Sequence, residues 1–444
     1  MSKINVLVVP SDNMGGVGFY RSTQPHIQLE KQFPDDFSVT IDMQPDWKNL
    51  EGFKKYNIIH IHKGLFQDFG AFRAAMDFFK KNNIVTIMDI DDSWSLSPHH
   101  PQYASHKIYK IDNLIKDNLR LFDYVTTTTP IFADEIKKFN KNVVVLPNAI
   151  DPEDPRFAVN KKPFNKLRIG LIMGSSHEYD VMLLNDICNG LPQDVLDKIQ
   201  FVLCGFDLRG SVKEINPKTK ETRERPIEPK ETVWYRYEKM LTNNYKTVSP
   251  EYRQFLELFL VNVPYPNADN EAYKRCWTKD MNHYYEHFSE VDVLLAPIEP
   301  IFFNKVKSQL KVIECAFSKT AIVASDFGPY TIDLKNAIEK GGGINSEGNA
   351  ILIDENKNHK DWKKAIIRLV KNPDLVKQLQ ENLAKDICEE YDLKNVTKKR
   401  AQFYKDAVYF KYENQDKSQV KPATRLATEG GFEVEFNNIP TQIN

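Results

Sequence analysis

The stretch VDVLLAPIEPIFFNKVKSQLKVIECAFSKTAIVASDFGPY, residues 291–330, carries the architecture in small. Its opening apolar run, VDVLLAPI, reads as a strand buried on both faces. The middle reads as a helix with an apolar face, and Ser308 stands where an N-cap belongs. AIVASD is a second buried strand. Strand, helix and strand in that order make a parallel pair joined by a crossover. One residue resists the pattern. Glu314 is a carboxylate where the chain enters a core, and Lys307, Ser308 and Lys311 gather ahead of it.

The same alternation runs outward in both directions. Upstream, INVLVVP, FSVTIDM, NIIHIH, IVTIMDID, YVTTTT and VVVLPNAID read as strands, and helical stretches fall between most of them. DPEDPRFAVNKKPFNK, with three prolines, reads as a linker. The pattern restarts at LRIGLIMG and closes with helices. The expectation is an α/β chain of two doubly wound, Rossmann-like domains facing a cleft at the carboxyl ends of their strands. The boundaries fall at 1–155 and 156–395, with a polar insertion at about 207–269, in which KEINPKTKETRERPIEPKET reads as a loop or hairpin and SPEYRQFLELFLV as a helix. Residues 396–414 form a helix expected to pack back on the first domain, and 415–444 an irregular tail.

Length and charge agree with that plan. A chain of 444 residues is too long for one core. Its formal net charge of −1 argues against a general nucleic-acid binder. The five cysteines, Cys188, Cys204, Cys276, Cys315 and Cys388, include no CxxC pair and suit free thiols in a reducing compartment. No apolar run approaches the roughly 20 residues of a membrane span. MSKINVLVVPSD is a strand followed by polar residues, not a signal peptide, so the expected location is cytoplasmic.

Chemistry concentrates in the loops. A helix start binds anions through its free N–H groups, and Lys307 and Lys311 add full charges. Glu314 lies about 9 Å along the axis from Ser308 at 1.5 Å per residue, roughly the step from a diphosphate to its ribose hydroxyls. A capped amphipathic helix with solvated lysines has the same spacing. Gly15, Gly16 and Gly18 let backbone approach a ligand and Arg21 can reach a phosphate, although a plain turn fits equally. Gly174, Ser175 and Ser176 suit a phosphate-facing turn, with His177 and Asp180 as local hydrogen-bonders. In TIMDIDDSW, the carboxylates Asp89, Asp91 and Asp92 sit at a strand's end, facing the expected cleft. They admit a divalent metal, acceptor-hydroxyl ligands or a solvated acidic loop. The acceptor reading puts Asp91 or Asp92 nearest the reacting centre and lets Trp94 stack on a sugar. Arg275 and Trp277 either line the donor side or serve packing.

LLAPIEP, FNKVKSQLKVIECAFSKT and AIVASDFGPY together resemble the C-terminal donor-binding motif of GT-B glycosyltransferases of the retaining family 4 type. That family carries two glutamates. Glu314 matches the second, which holds the nucleotide ribose, whereas Val306 occupies the position of the first. VGFYR resembles the subgroup's glycine-rich loop, and VVVLPNAID its domain-exit segment. The resemblance implies donor contacts from Gly16, Gly18, Arg21, Gly174, Ser175, Asn304, Lys307, Ser308, Lys311 and Glu314. Asp91, Asp92 and Lys307 become the catalytic candidates. The implied reaction moves a sugar from a nucleotide diphosphate sugar to a glycan or other hydroxyl acceptor. It retains configuration, without metal or cofactor, and the departing diphosphate helps take the acceptor's proton. A DxD pair binds manganese in GT-A enzymes, but two Rossmann-like domains are not that fold. Two alternatives stand beside this: a non-catalytic nucleotide-sugar-binding subunit, and a transferase acting on modified DNA bases.

Overall fold

The computed structural model describes residues 3–12, 15–63, 69–100, 102–215, 218–219, 222–354, 360–416, 426–427 and 433–434. Packing divides the chain into two compact units. The first comprises Met1–Asp151, Ile301–Ile313 and Glu389–Asn444; the second comprises Pro152–Pro300 and Glu314–Cys388.

The first unit is built on six strands: β1 (Ile4–Val9), β2 (Phe37–Ile41), β3 (Ile58–His62), β4 (Val85–Ile90), β5 (Tyr124–Thr127) and β6 (Val143–Val145). Their order is β2-β1-β3-β4-β5-β6 and every pairing is parallel. The second unit repeats the plan with β7 (Leu167–Ile172) and β8 (Ile199–Phe206). A hairpin of β9 (Ser211–Ile215) and β10 (Thr222–Pro226) follows, then β11 (Tyr273–Trp277), β12 (Val293–Ala296), β13 (Ala321–Ser325) and β14 (Ile351–Ile353). The sheet order is β11-β8-β7-β12-β13-β14, again all parallel. Uninterrupted apolar runs become central strands because helices cover both faces: β4 and β13 are buried along their whole length. These are two doubly wound Rossmann-like domains.

Several local readings change. HKIYKIDNLIKDNLRLF, whose periodicity predicts one helix over 106–122, is split into Tyr103–Ile108 and Ile111–Leu121 by Lys110, whose φ of 52° is left-handed. β11 lies where no strand was read. YDVMLLNDICNGL supports only a short helix, Glu178–Met182, and 284–290 is a 3-10 segment. The polar insertion contains the β9–β10 hairpin. The last long helix, Leu393–Asp416, packs on the helix Gln24–Gln32, and the Tyr404 hydroxyl lies 2.7 Å from His26 Nε2. Of the tail 415–444, the described residues are 415–416, which end that helix, and Leu426–Ala427 and Glu433–Val434, a short antiparallel pair. Among the described residues no helix is long and apolar enough to cross a membrane.

Candidate functional site

The strand order of the first unit reverses between β1 and β3, the place where open α/β sheets hold ligands. Ser11 follows β1, His62 ends β3 and Asp91 follows β4. Ser11 Oγ lies 2.7 Å from His62 Nδ1, and His62 Nε2 lies 3.1 Å from Asp91 Oδ1. A carboxylate only accepts, so His62 Nε2 carries a proton toward Asp91. Lys63 completes the group. Its φ of 64° is left-handed, a conformation that costs a non-glycine residue of order 1 kcal/mol and collects at functional sites. Its Nζ stands 3.3 Å from Asp91 and 3.4 Å from Asp92. Burial by itself would raise the Asp91 carboxyl, but Lys63 and the bond from His62 outweigh it and hold Asp91 far below the usual carboxylate range.

The three acids of DIDD therefore separate into two roles. Asp89 is fully buried and does not face a ligand, contrary to the sequence reading. It takes a two-pronged ion pair from Arg21, with Nε at 2.9 Å and Nη2 at 2.7 Å, and a bond from the Thr126 hydroxyl at 2.5 Å. Burial pushes its pKa up, yet the Arg21 guanidinium brings it down to about 2. Asp91 and Asp92 remain at the surface, but an ammonium already stands beside both. Among the described residues no group of three or more His, Cys, Asp or Glu is arranged to hold a metal. Trp94 offers no face to a sugar: it is 5% exposed and packs against Phe132, Phe139 and Phe302.

Arg21 likewise departs from its expected phosphate role. It is 1% exposed, and its remaining nitrogen, Nη1, donates to the Leu146 carbonyl at 2.7 Å and to Asn148 Oδ1 at 3.1 Å. Asn148 in turn donates to Ser308 Oγ at 3.2 Å. One hydrogen-bonded chain thus ties VGFYR, DIDD, LPNA and KSQLK together within the first unit. The turn before Arg21 is filled from within: Asp12 accepts from the amides of Gly15 and Gly18, at 2.6 and 3.1 Å. Gly18 must be glycine, because a Cβ there would lie 2.2 Å from the Asp12 carbonyl. Its amide is committed to Asp12, while Gly16 is partly exposed in the same turn.

The segment 301–313 packs with the first unit. Val306 is fully buried in that unit's core, where it serves as an apolar anchor. Asn304 is 1% exposed in the short helix Phe302–Lys305. Lys307, Ser308 and Lys311 are partly exposed, and Lys307 Nζ lies 4.7 Å from the centre of the Phe303 ring. The helix begins one residue later than its expected cap. Gln309 provides the carbonyl that accepts from Val312 and Ile313, and Ser308 serves Asn148 instead.

In the second unit the winding reverses between β7 and β12. Gly174 and Ser175 form an exposed turn after β7. His177 Nδ1 lies 2.6 Å from Asp180, whose other oxygen accepts from the Glu299 amide after β12 at 2.8 Å. Glu314 is fully buried, with the Tyr284 hydroxyl donating to its carboxylate at 3.3 Å and the Tyr285 hydroxyl to its backbone carbonyl at 2.7 Å. Its placement in an apolar helix face is answered by those tyrosines. Arg275 and Trp277 belong elsewhere. They line a cavity of about 770 Å³ beside the edge strand β11, which reaches Phe164 and Arg168 at the amino end of β7, opposite to Gly174. Arg275 there is pinned by Glu238 through bonds of 2.7 and 2.8 Å.

Ser11, His62 and Lys63 were not singled out from the sequence. A signal was present: in NIIHIH the period of two puts His60 and His62 on one face, and Ser11 and Lys63 come directly off strand ends.

The fold of the chain is that of GT-B glycosyltransferases. A glycosyltransferase from Rickettsia africae superposes with a TM-score of 0.55 at 13% identity, over 92% of this chain and 99% of that one. Anabaena HepE, solved with UDP and glucose, gives 0.54 at 11% over 91% and 100%. The catalytic domain of Arabidopsis thaliana starch synthase IV, solved with ADP and acarbose, gives 0.54 at 11% over 92% and 99%. No family model and no curated protein sequence matches the chain.

Proposed function

We propose that the protein is a glycosyltransferase that moves a sugar from a nucleotide diphosphate sugar to an acceptor hydroxyl, of the retaining family 4 type. The observation that carries this reading is the helix Leu310–Phe317 on a GT-B fold. Partly exposed Lys307 and Lys311 lie at its start, and a buried carboxylate, Glu314, follows within it. Lysines and a helix start stabilise the charge that builds on a departing diphosphate. Glu314 accepts the ribose hydroxyls, and in the same unit Gly174 and Ser175 meet the donor's phosphates; Asn304 is a donor contact supplied by the first unit. Asp91 and Asp92 face the acceptor. No metal enters this scheme, in which the Lys63 ammonium stands beside both carboxylates. Five cysteines without a disulfide support a cytoplasmic setting.

Calorimetry with UDP, ADP and GDP tests the donor side, with saturable binding to at least one expected. One observation favours the second reading, a binding subunit without turnover: Val306 stands in a core where the family has a glutamate. Donor hydrolysis in the absence of acceptor separates the two. Slow release of nucleoside diphosphate supports the enzyme, and tight binding with none supports the subunit.

A further inference from the structure

We infer that the cavity beside the edge strand β11 is a carbohydrate site, separate from the donor motif, that holds a short neutral oligosaccharide. The inference goes beyond the transferase reading and stands without it, because every residue it uses lies within Pro152–Pro300 of the second unit.

Size and lining set the ligand class. The volume of about 770 Å³ falls within the roughly 300–1,000 Å³ of small-molecule sites. Partly exposed aromatic rings line it: Phe164, Phe255, Tyr265 and Trp277. Neighbouring rings brace them. The Tyr265 ring centre lies 4.7 Å from that of Tyr252 and 5.1 Å from that of Phe255, and Trp277 meets Phe206 edge-on at 5.2 Å. Exposed planar polar groups stand among the rings: Asn160, Asn262 and Glu286. A pyranose matches both kinds of surface. Its C–H faces pack on aromatic rings, and the hydroxyls around its edge donate and accept at once.

The charges speak for a neutral ligand. Arg168, Lys274, Arg275 and Lys279 line the cavity, and each already faces a carboxylate: Asp292 at 3.0 Å, Glu290 at 2.8 Å, Glu238 at 2.7 Å and Glu286 at 2.6 Å respectively. Such pairs offer hydroxyls fixed donors and acceptors side by side, with the pull on a phosphate cancelled by the acids. The loop that supplies Asn262 and Tyr265 is shaped for contact. Phe259 and Asn262 hold left-handed φ of 50° and 57°, and in a bulky phenylalanine that is strain of the kind that collects at ligand sites. Leu258, Leu260, Val261 and Val263 are all exposed along the same stretch, as on surfaces that meet a ligand.

The test is calorimetry and saturation-transfer NMR on the full chain without nucleotide, with maltotriose, cellotriose and chitotriose as probes. Saturable binding of at least one is expected, with transfer strongest to its ring C–H protons. Tyr265→Ala and Trp277→Leu should each raise that Kd about tenfold or more, the usual cost of truncating an aromatic anchor, and leave nucleoside diphosphate affinity within about twofold. Trp277 packs on Phe206, so a gentler variant guards the test. Asn262→Gly keeps the left-handed backbone, removes only the amide and should weaken binding about two- to tenfold. No saturable binding of any of the three sugars overturns the proposal. So does binding that Tyr265→Ala and Asn262→Gly leave unchanged, which places the sugar elsewhere, and so does displacement of the sugar by inorganic diphosphate, which marks an anion site. A chain that binds sugar in this cavity but no nucleotide overturns the transferase reading and leaves this one standing.

Discussion

Replacing Asp89 by alanine should strip the first unit of the charge that anchors its loops. The side chain is fully buried, and three hydrogen bonds converge on it: two from Arg21 and one from Thr126. Truncation leaves a guanidinium that is 1% exposed with only the Leu146 carbonyl and Asn148 to hold it. Removing one partner of a buried ion pair costs about 3–5 kcal/mol. The pair's own contribution is smaller. A pKa drawn from 3.8 to about 2 corresponds to only about 2–3 kcal/mol at neutral pH. Because that pKa is depressed, the stabilisation is complete above the unfolded value near 4 and is lost as pH falls through about 2. Asp89→Leu with Arg21→Met should therefore cost well under the sum of the single changes, since neither charge is stranded. Native-state hydrogen exchange on peptides covering 85–90 and 124–127 measures this locally, which suits a chain of two units that need not unfold together. Single and double variants whose costs add to within about 0.5 kcal/mol would refute the claim that the two charges act as a pair.

Four further outcomes are expected. Glu314→Ala should weaken nucleoside diphosphate binding about 10- to 150-fold by calorimetry, the loss of about 1.5–3 kcal/mol from a charged hydrogen bond; an unchanged Kd removes Glu314 from the ribose. Asp91→Asn and Asp92→Asn should impair transfer while leaving nucleotide affinity nearly intact, and wild-type activity should survive EDTA; a requirement for Mn²⁺ or Mg²⁺ would return these carboxylates to a metal site. Arg275→Met should destabilise the second unit by about 3–5 kcal/mol in hydrogen exchange of 199–206, because it strands buried Glu238 with two tyrosine hydroxyls. His60, whose pKa burial lowers to about 3, and His26, lowered by burial and by its neighbour His60, are both fully buried. Both stay neutral when folded, so stability should be complete above about pH 6.5 and fall below it by about 1.4 kcal/mol per pH unit for each histidine, toward their depressed folded values. Flat stability in urea between pH 7 and pH 5 would contradict that.

By itself the sequence determined the layered plan. Runs such as INVLVV and VDVLLAPI admit only strands covered on both faces, and the helices between them impose parallel pairing. That logic is local: it depends on the period of apolar residues over a few positions, and it reaches both sheets. Where the local signal was ambiguous it failed. YKRCW has mixed polarity because it is the edge strand β11, and HKIYKIDNLIK reads as one helix because nothing in its periodicity announces the left-handed Lys110. The glycine-rich turn, DIDD and the KSQLK segment were legible as places where chemistry collects, since polar residues at strand ends have few packing reasons to be there. Their individual roles were not. Whether Arg21 meets a phosphate or Asp89 depends on a partner 68 positions away, and whether Trp94 stacks on a sugar or on Phe132 depends on how a helix returns across the sheet. Only the tertiary structure brings Ser11, His62, Lys63 and Asp91 to one crevice. The physical reason is range: burial and periodicity act between near neighbours in the chain, whereas ion pairs and hydrogen bonds choose among every group that folding brings within about 3 Å.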